Sequence, residues 1–401
     1  MNDPELIEYA VYHWTFGGDQ NLPGLNHDGT IDSEFFDRYP INASYGDFAE
    51  QFTQLKNDPI LSDENSLLLC SGGVDSSLLA CFRKENLRHT QQQFLHTSYV
   101  EHDNNDLYKF NNVLLHCASS SFISSVDANA YMSGIDFLSQ NNFFQNTYGP
   151  TLAFALDSAN AHKFSSLITG SGPDELFYGM EKYSWDVFEK LSELPTPEAL
   201  ERLDPRYNEE AYGRVFNNAG KELFFEVKRK RFRLYQNIAE LGLPIFDSQR
   251  LLAYATVTAQ HMQLFNSIAQ FFSLKHHAPY LNDELVRLAL STPLADLVEL
   301  GVDKRVEIGK KYLKKYLSSY MSDDHVYGRK IGFHAPTTKY VHKTGQRFLL
   351  ENIDFIPDWL DKDLTLQELK KRYEENSNNN DYFLYSLLNI LKHNMRNHDA
   401  C

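Results

Sequence analysis

The chain has 401 residues, length for two or three ordinary domains, with 42% hydrophobic and 23% charged residues and with 28 Phe and 23 Tyr to fill a core. A formal charge of −16 works against nucleic acid as a partner, and any anionic nucleotide must be drawn in by local devices such as helix N-termini, a few cations or a metal ion. The four cysteines (Cys70, Cys81, Cys117, Cys401) lack C-x-x-C spacing, Met1 to Tyr9 has no apolar signal region, and no run of about 18 apolar residues occurs; the expectation is a cytoplasmic protein with reduced thiols and no membrane partner.

Residues 1–61 are a mixed segment with turn residues at Gly17, Gly18, Pro23, Gly24 and Pro40, too short for a typical enzyme domain, and read as an N-terminal extension of unknown role. From Ser66 the pattern changes. Ser66 to Cys70 is an apolar run closed by Gly72 and Gly73, as a buried parallel strand would be, and Ser76 to Arg83 opens a helix. Phe94 to Val100 fits a second strand, Asn105 to Cys117 a helix, Phe122 to Val126 a third strand, Thr151 to Ala161 a helix, and Ser166 to Ile168 a short strand ending at Gly170. Strands alternating with helices predict an α/β fold with a doubly wound parallel sheet over residues 62–183. Residues 184–401 are expected to be largely helical, ending in an amphipathic helix from Tyr382 to Met395.

The strongest chemical signal is Ser71-Gly72-Gly73-Val74-Asp75-Ser76-Ser77, set between a strand and a helix. Two glycines let the backbone approach a phosphate, the helix N-terminus supplies N–H donors, and Ser71, Ser76 and Ser77 can add hydroxyls. Asp75 is a poor direct neighbour for phosphate unless Mg²⁺ lies between the two anions. No lysine follows the glycines, so this is not the Walker pattern.

The loop resembles the PP-loop of enzymes that split ATP between its α and β phosphates. A second segment, Thr169-Gly170-Ser171-Gly172-Pro173-Asp174-Glu175-Leu176-Phe177-Tyr178-Gly179, is similar to the G-x-G-x-D-E-L-F-x-G segment of asparagine synthetases. His277-Ala278-Pro279-Tyr280-Leu281-Asn282-Asp283 and Arg329-Lys330-Ile331-Gly332-Phe333 are looser matches to that family's later motifs, and the likeness runs from about Asp63 to Asn397. The resemblance implies a sheet of PP-loop ATP pyrophosphatase (adenine nucleotide alpha hydrolase-like) type with a helical C-terminal region. It implies ATP and Mg²⁺ as cofactors. Leu69, Ser71, Gly72, Gly73, Asp75, Ser76, Tyr99 and Gly170 are then the nucleotide-binding positions, Asp75 and Asp174 the carboxylates facing Mg²⁺–pyrophosphate, and Lys330 the cation at the α-phosphate.

Departures from the family shape the functional expectation. Residue 2 is Asn2 and no cysteine precedes Cys70, so a fused glutaminase is not expected, and a separate partner protein could supply ammonia in its place. Ser171 stands where asparagine synthetases have a glutamate and β-lactam synthetases a tyrosine, and His277 and Asn282 replace the family's Arg and Asp. The resulting expectation is an AMP-forming amide ligase that adenylates a small-molecule or peptide carboxylate and transfers the acyl group to an amine. Two alternatives stay open: an ammonia-dependent amidating enzyme and a nucleotide-binding pseudoenzyme scaffold. The oligomeric state stays open too, a homo-oligomer included. The basic stretches Lys228 to Arg231 and Lys310 to Lys315 read as solvated helix faces.

Overall fold

The structure is a computed structural model that describes residues 3–12, 22–26, 30–87, 92–100, 105–117, 119–141, 147–179, 185–204, 208–302, 305–328, 336–375 and 382–399. Five parallel strands, β1 (Ser66–Leu69), β2 (Gln93–Tyr99), β3 (Ser120–Val126), β4 (Ser166–Ile168) and β5 (Lys275–His277), form one sheet in the order β3-β2-β1-β4-β5. Chain order reverses between β1 and β4, so the sheet is doubly wound about that point. Sheets of this kind bind ligands in the crevice outside the carboxyl ends of the strands at such a point.

Alternation along the strands explains the layers. Leu67 of β1 pairs with Gln93 and Leu167, and Leu68 with Phe94 and Ile168. Successive side chains point to opposite faces, so Leu68, Phe94 and Ile168 join the large core with the helix Val74–Asn86, whereas Leu67, Leu95 and Leu167 join a second core with the helices Gly149–Ser158 and Ala259–Phe271. Both faces being covered, β1 reads as a continuous apolar run.

A third core takes in Tyr99 and Val126, the last residues of β2 and β3. There the helix Asp3–Tyr12 packs with the helix Tyr382–Asp399, and Tyr9, Tyr12, Tyr212, Trp359 and Tyr385 are buried. The basic run on the helix Asn218–Glu240 is not a purely solvated face. Arg231 is 1% exposed, lies 3.5 Å from the centre of the Tyr12 ring, and donates to Asp204 at 2.7 and 3.0 Å with Glu8 at 3.6 Å. Lys228 pairs with Glu209 at 3.1 Å. Two buried acids demand a buried cation, which a solvated-face reading of the run overlooks.

The helix Tyr45–Lys56 opens with a capping box at Ser44 and Asp47. Phe48 and Phe52 on its inner side meet Phe177 at 5.7 and 6.2 Å, and they meet Tyr312 at 5.0 Å and Tyr316 at 5.3 Å respectively. This aromatic layer props up the segment after β4 and the helix Lys311–Leu317 together. Among the described residues no helix is long and apolar enough to cross a membrane, and Cys70, Cys81 and Cys117 are buried free thiols.

Candidate active site

The loop after β1 is shaped by two glycines and three serines. Gly72 has φ +80°, and a side chain there would meet the backbone of Lys109 and Phe110, so the helix Asn105–Cys117 can rest directly on the loop. Ser76 Oγ accepts from the Ser71 N–H at 3.2 Å and donates to the Gly73 carbonyl at 3.3 Å. His96, stacked on Phe110 at 4.2 Å, holds the Cys70 carbonyl through Nδ1 at 2.9 Å. The helix Val74–Asn86 starts with Gly73 as its N-cap, which offers no side chain to the first N–H groups. That end is a ready site for an anion.

The second motif leaves β4 beside this loop. A side chain on Gly170 would lie 3.2 Å from both the Asp75 Cβ and the Ser76 nitrogen, so the two motifs are in backbone contact. The third stretch joins them: the Tyr280 hydroxyl donates to the Asp75 carbonyl at 2.9 Å, and a side chain on Gly172, at φ +108°, would come within 2.5 Å of Leu281. Asn282 caps the helix Asp283–Ser291 by accepting from the Leu285 N–H at 3.0 Å.

At the centre stands a residue that sequence reasoning assigned to a solvated face. Lys310 is 4% exposed, and its Nζ lies 2.5 Å from Asp75 Oδ2 and 2.7 Å from Asp174 Oδ1. It adopts a left-handed conformation, φ 54°, just ahead of the helix Lys311–Leu317, and its N–H donates to the Phe177 carbonyl at 2.9 Å. A lysine ladder suggests one exposed helix face; the left-handed residue before the first turn breaks that ladder and turns Lys310 inward. Burial opposes its charge, but the two carboxylates outweigh burial and hold its pKa above the ordinary lysine value. The cue available in sequence was the glycine at 179, whose missing side chain makes room for Lys310 and Asp174.

Glu175, beside Asp174, is 3% exposed and accepts a hydrogen bond from the Thr258 hydroxyl at 3.0 Å. Burial, and then the Asp174 charge, push its pKa up to about 8. The other expected positions divide. Ser71, Gly72, Gly73, Asp75, Ser76, Gly170 and Asp174 come together at the crevice, with Leu69 half-buried at the end of β1. Tyr99 is buried, its hydroxyl bonded to Thr151 at 2.9 Å and its ring 6.2 Å from that of Tyr340. Lys330 lies outside the described residues, two positions past Gly328, whose carbonyl accepts from Lys109 Nζ at 2.8 Å.

The residues fit the nucleotide and metal that the resemblance implies. Asp75 Oδ1 is buried with no hydrogen-bond partner among the described residues, an oxygen suited to a hard cation. Uncapped N–H groups of the helix Val74–Asn86 stand next to it, suited to phosphate oxygens. The family model described as asparagine synthase matches residues 49–387, and no curated protein matches the chain.

Proposed function

From the chain's membership of the asparagine synthase family, whose enzymes are ATP-dependent, amide-forming carbon–nitrogen ligases, we propose that it adenylates a substrate carboxylate and passes the acyl group to an amine nitrogen. The observation that carries this reading is the meeting of the glycine-serine loop, Asp75 and Asp174 around Lys310 at the reversal of chain order in the sheet.

In the first step a carboxylate oxygen attacks the α-phosphorus of ATP, and the bond to the β-phosphate breaks with its electrons on pyrophosphate. In the second, nitrogen attacks the acyl carbon, the bond to the AMP oxygen breaks, and one nitrogen proton passes to solvent. The loop N–H groups and serine hydroxyls would hold the pyrophosphate portion, and Asp75 and Asp174 would hold Mg²⁺, which when bound neutralises phosphate charge. Lys310 keeps the two carboxylates together without the metal and supplies positive charge at the same place. Lys330 is proposed as the cation at the α-phosphate, where charge shifts between pyrophosphate and acyl oxygen as the reaction proceeds. The partners of this reading are a small-molecule or peptide carboxylate and an amine. Ammonia from a separate glutaminase is the second reading, favoured if ammonium alone supports amide formation at a rate no amine exceeds.

The test is chromatography of the nucleotide products, together with exchange of labelled pyrophosphate into ATP across a panel of carboxylic acids. AMP and pyrophosphate are expected. ADP as the main product, or no exchange with any acid, would overturn the adenylating reading.

A further inference from the structure

Four side chains form a hydrogen-bonded line that ends at the crevice. His276 Nδ1 is 2.7 Å from Asn266 Oδ1, its Nε2 is 2.8 Å from Thr169 Oγ1, and Thr169 Oγ1 is 3.0 Å from Ser171 Oγ. The line is built by the sheet: β4 and β5 pair Leu167 with His276, and Thr169, two residues past Leu167, rises on the same face, where Asn266 descends from the helix Ala259–Phe271. The Phe265 ring lies 5.3 Å from the imidazole.

The protons in this line have one direction. A carboxamide oxygen only accepts, so His276 Nδ1 carries the hydrogen and Nε2 presents a lone pair. Thr169 must donate to that lone pair, which commits its single proton. Its oxygen then accepts from Ser171, which commits that proton too. Burial, and then the neighbouring His277, press the His276 pKa down to about 3, so the imidazole is neutral and keeps this polarity at working pH. Ser171, half-buried one residue after the glycine that touches Asp75, is left with lone pairs for any ligand and no proton to give.

We propose that Ser171 is the acceptor that receives an N–H of the attacking nitrogen, and that Thr169, His276 and Asn266 are positioning residues that fix its polarity. The proposal rests on the ligase reading above. It assigns the nitrogen nucleophile to the β4–β5 side of the crevice, across from the glycine-serine loop. A group that can only accept hydrogen bonds, such as a carboxylate, is disfavoured at Ser171, whereas an amine or ammonia satisfies it while aiming its own lone pair at the acyl carbon.

The experiment uses the full chain labelled with ¹⁵N-histidine, and hydroxylamine as the nitrogen probe with the acid that best supports pyrophosphate exchange. NMR should show His276 protonated at Nδ1 alone, in the wild type and in Asn266→Asp, with that preference lost in Asn266→Leu. Ser171→Ala and Thr169→Val should each raise KM for hydroxylamine by about tenfold, the scale of one lost hydrogen bond, with a much smaller change in KM for ATP. Asn266→Leu should raise it similarly, and Asn266→Asp, which keeps an obligate acceptor, should restore it towards the wild-type value. An Nε2-protonated His276, or hydroxylamine KM values unmoved in both hydroxyl variants, overturns the assignment. Absence of exchange in the wild type overturns the ligase reading itself and is told apart because it precedes any nitrogen addition.

Discussion

The Lys310 ammonium lies between Asp75 and Asp174, 2.5 Å from one carboxylate and 2.7 Å from the other, so a single cation binds together two motifs on neighbouring strands. Lys310 itself is held by Phe177 and Gly179 of the second motif. Its roles in structure and in charge stabilisation are therefore inseparable.

Lys310→Ala is expected to lower stability by about 3 kcal/mol, the lower end of the range for breaking a buried ion pair because Asp174 keeps some solvent contact, and to abolish pyrophosphate exchange. Lys330→Ala should lower turnover by about 10²–10³-fold, the scale for one charge-stabilising donor, with an unchanged urea midpoint. Equal loss of stability in the two variants would refute this division of roles.

Gly179→Ala places a methyl group onto the Lys310 side chain and the Asp174 carboxylate. Neither can retreat without breaking the ion pair, so exchange should fall by at least about tenfold, with overpacking costing about 1–3 kcal/mol. Gly213→Ala, at a helical glycine with open space around it among the described residues, is the control: exchange should be unchanged and stability higher by up to about 1 kcal/mol. An active, fully stable Gly179→Ala protein would show that the pair has more freedom than its packing indicates.

Glu175 yields a prediction about pH. Its pKa is raised to about 8 in the fold, from an ordinary carboxylate value near 4.5, so between those values the folded chain binds more protons than the unfolded one. Its stabilising contribution is complete below about pH 4.5 and declines as pH rises to about 8. Glu175→Gln, whose carboxamide oxygen can still accept from Thr258, should flatten this part of the stability curve and raise the melting temperature at pH 8 relative to wild type. A wild-type-like slope in the variant would place the titration elsewhere.

Arg231→Ala leaves buried Asp204 without this cation and takes one from Glu8, which keeps Lys230 at 3.5 Å. Urea unfolding should show a loss of about 3–5 kcal/mol. Arg231→Lys should recover only part of it, since one ammonium cannot reproduce the two bonds to Asp204 and the stacking on Tyr12. A variant within about 0.5 kcal/mol of wild type would mean that the helix Asp3–Tyr12 is anchored by its apolar residues alone.

The nucleotide side of the crevice was legible in the sequence because its signals are local. Leu67 to Leu69 is apolar on both faces, Gly72 and Gly73 mark the close approach, and the second motif repeats that logic after Ile168. What escaped depends on contacts between distant segments. β5 has only three residues, Lys275, His276 and His277, and no apolar pattern, since its pairing with β4 is a backbone matter. Without that pairing neither the neighbour of Thr169 nor the direction of the Ser171 hydroxyl could be read. Lys310 was hidden by its lysine neighbours, because a left-handed residue before a first turn leaves no mark when it is not glycine.

The spacing of the central ion pair also has a consequence in time. Asp75 and Lys310 are 235 positions apart. At ribosomal speeds of about 5–20 residues per second, Asp75 and Asp174 are both synthesised roughly 7–27 seconds or more before their shared cation is available. Through that interval the nascent crevice holds two like charges with nothing between them, so the carboxyl ends of β1 and β4 repel while the apolar strands behind them are free to pair. The centre of this protein is thus expected to be the last part of its sheet to settle, and a divalent cation present during synthesis could take the place of Lys310 until it arrives.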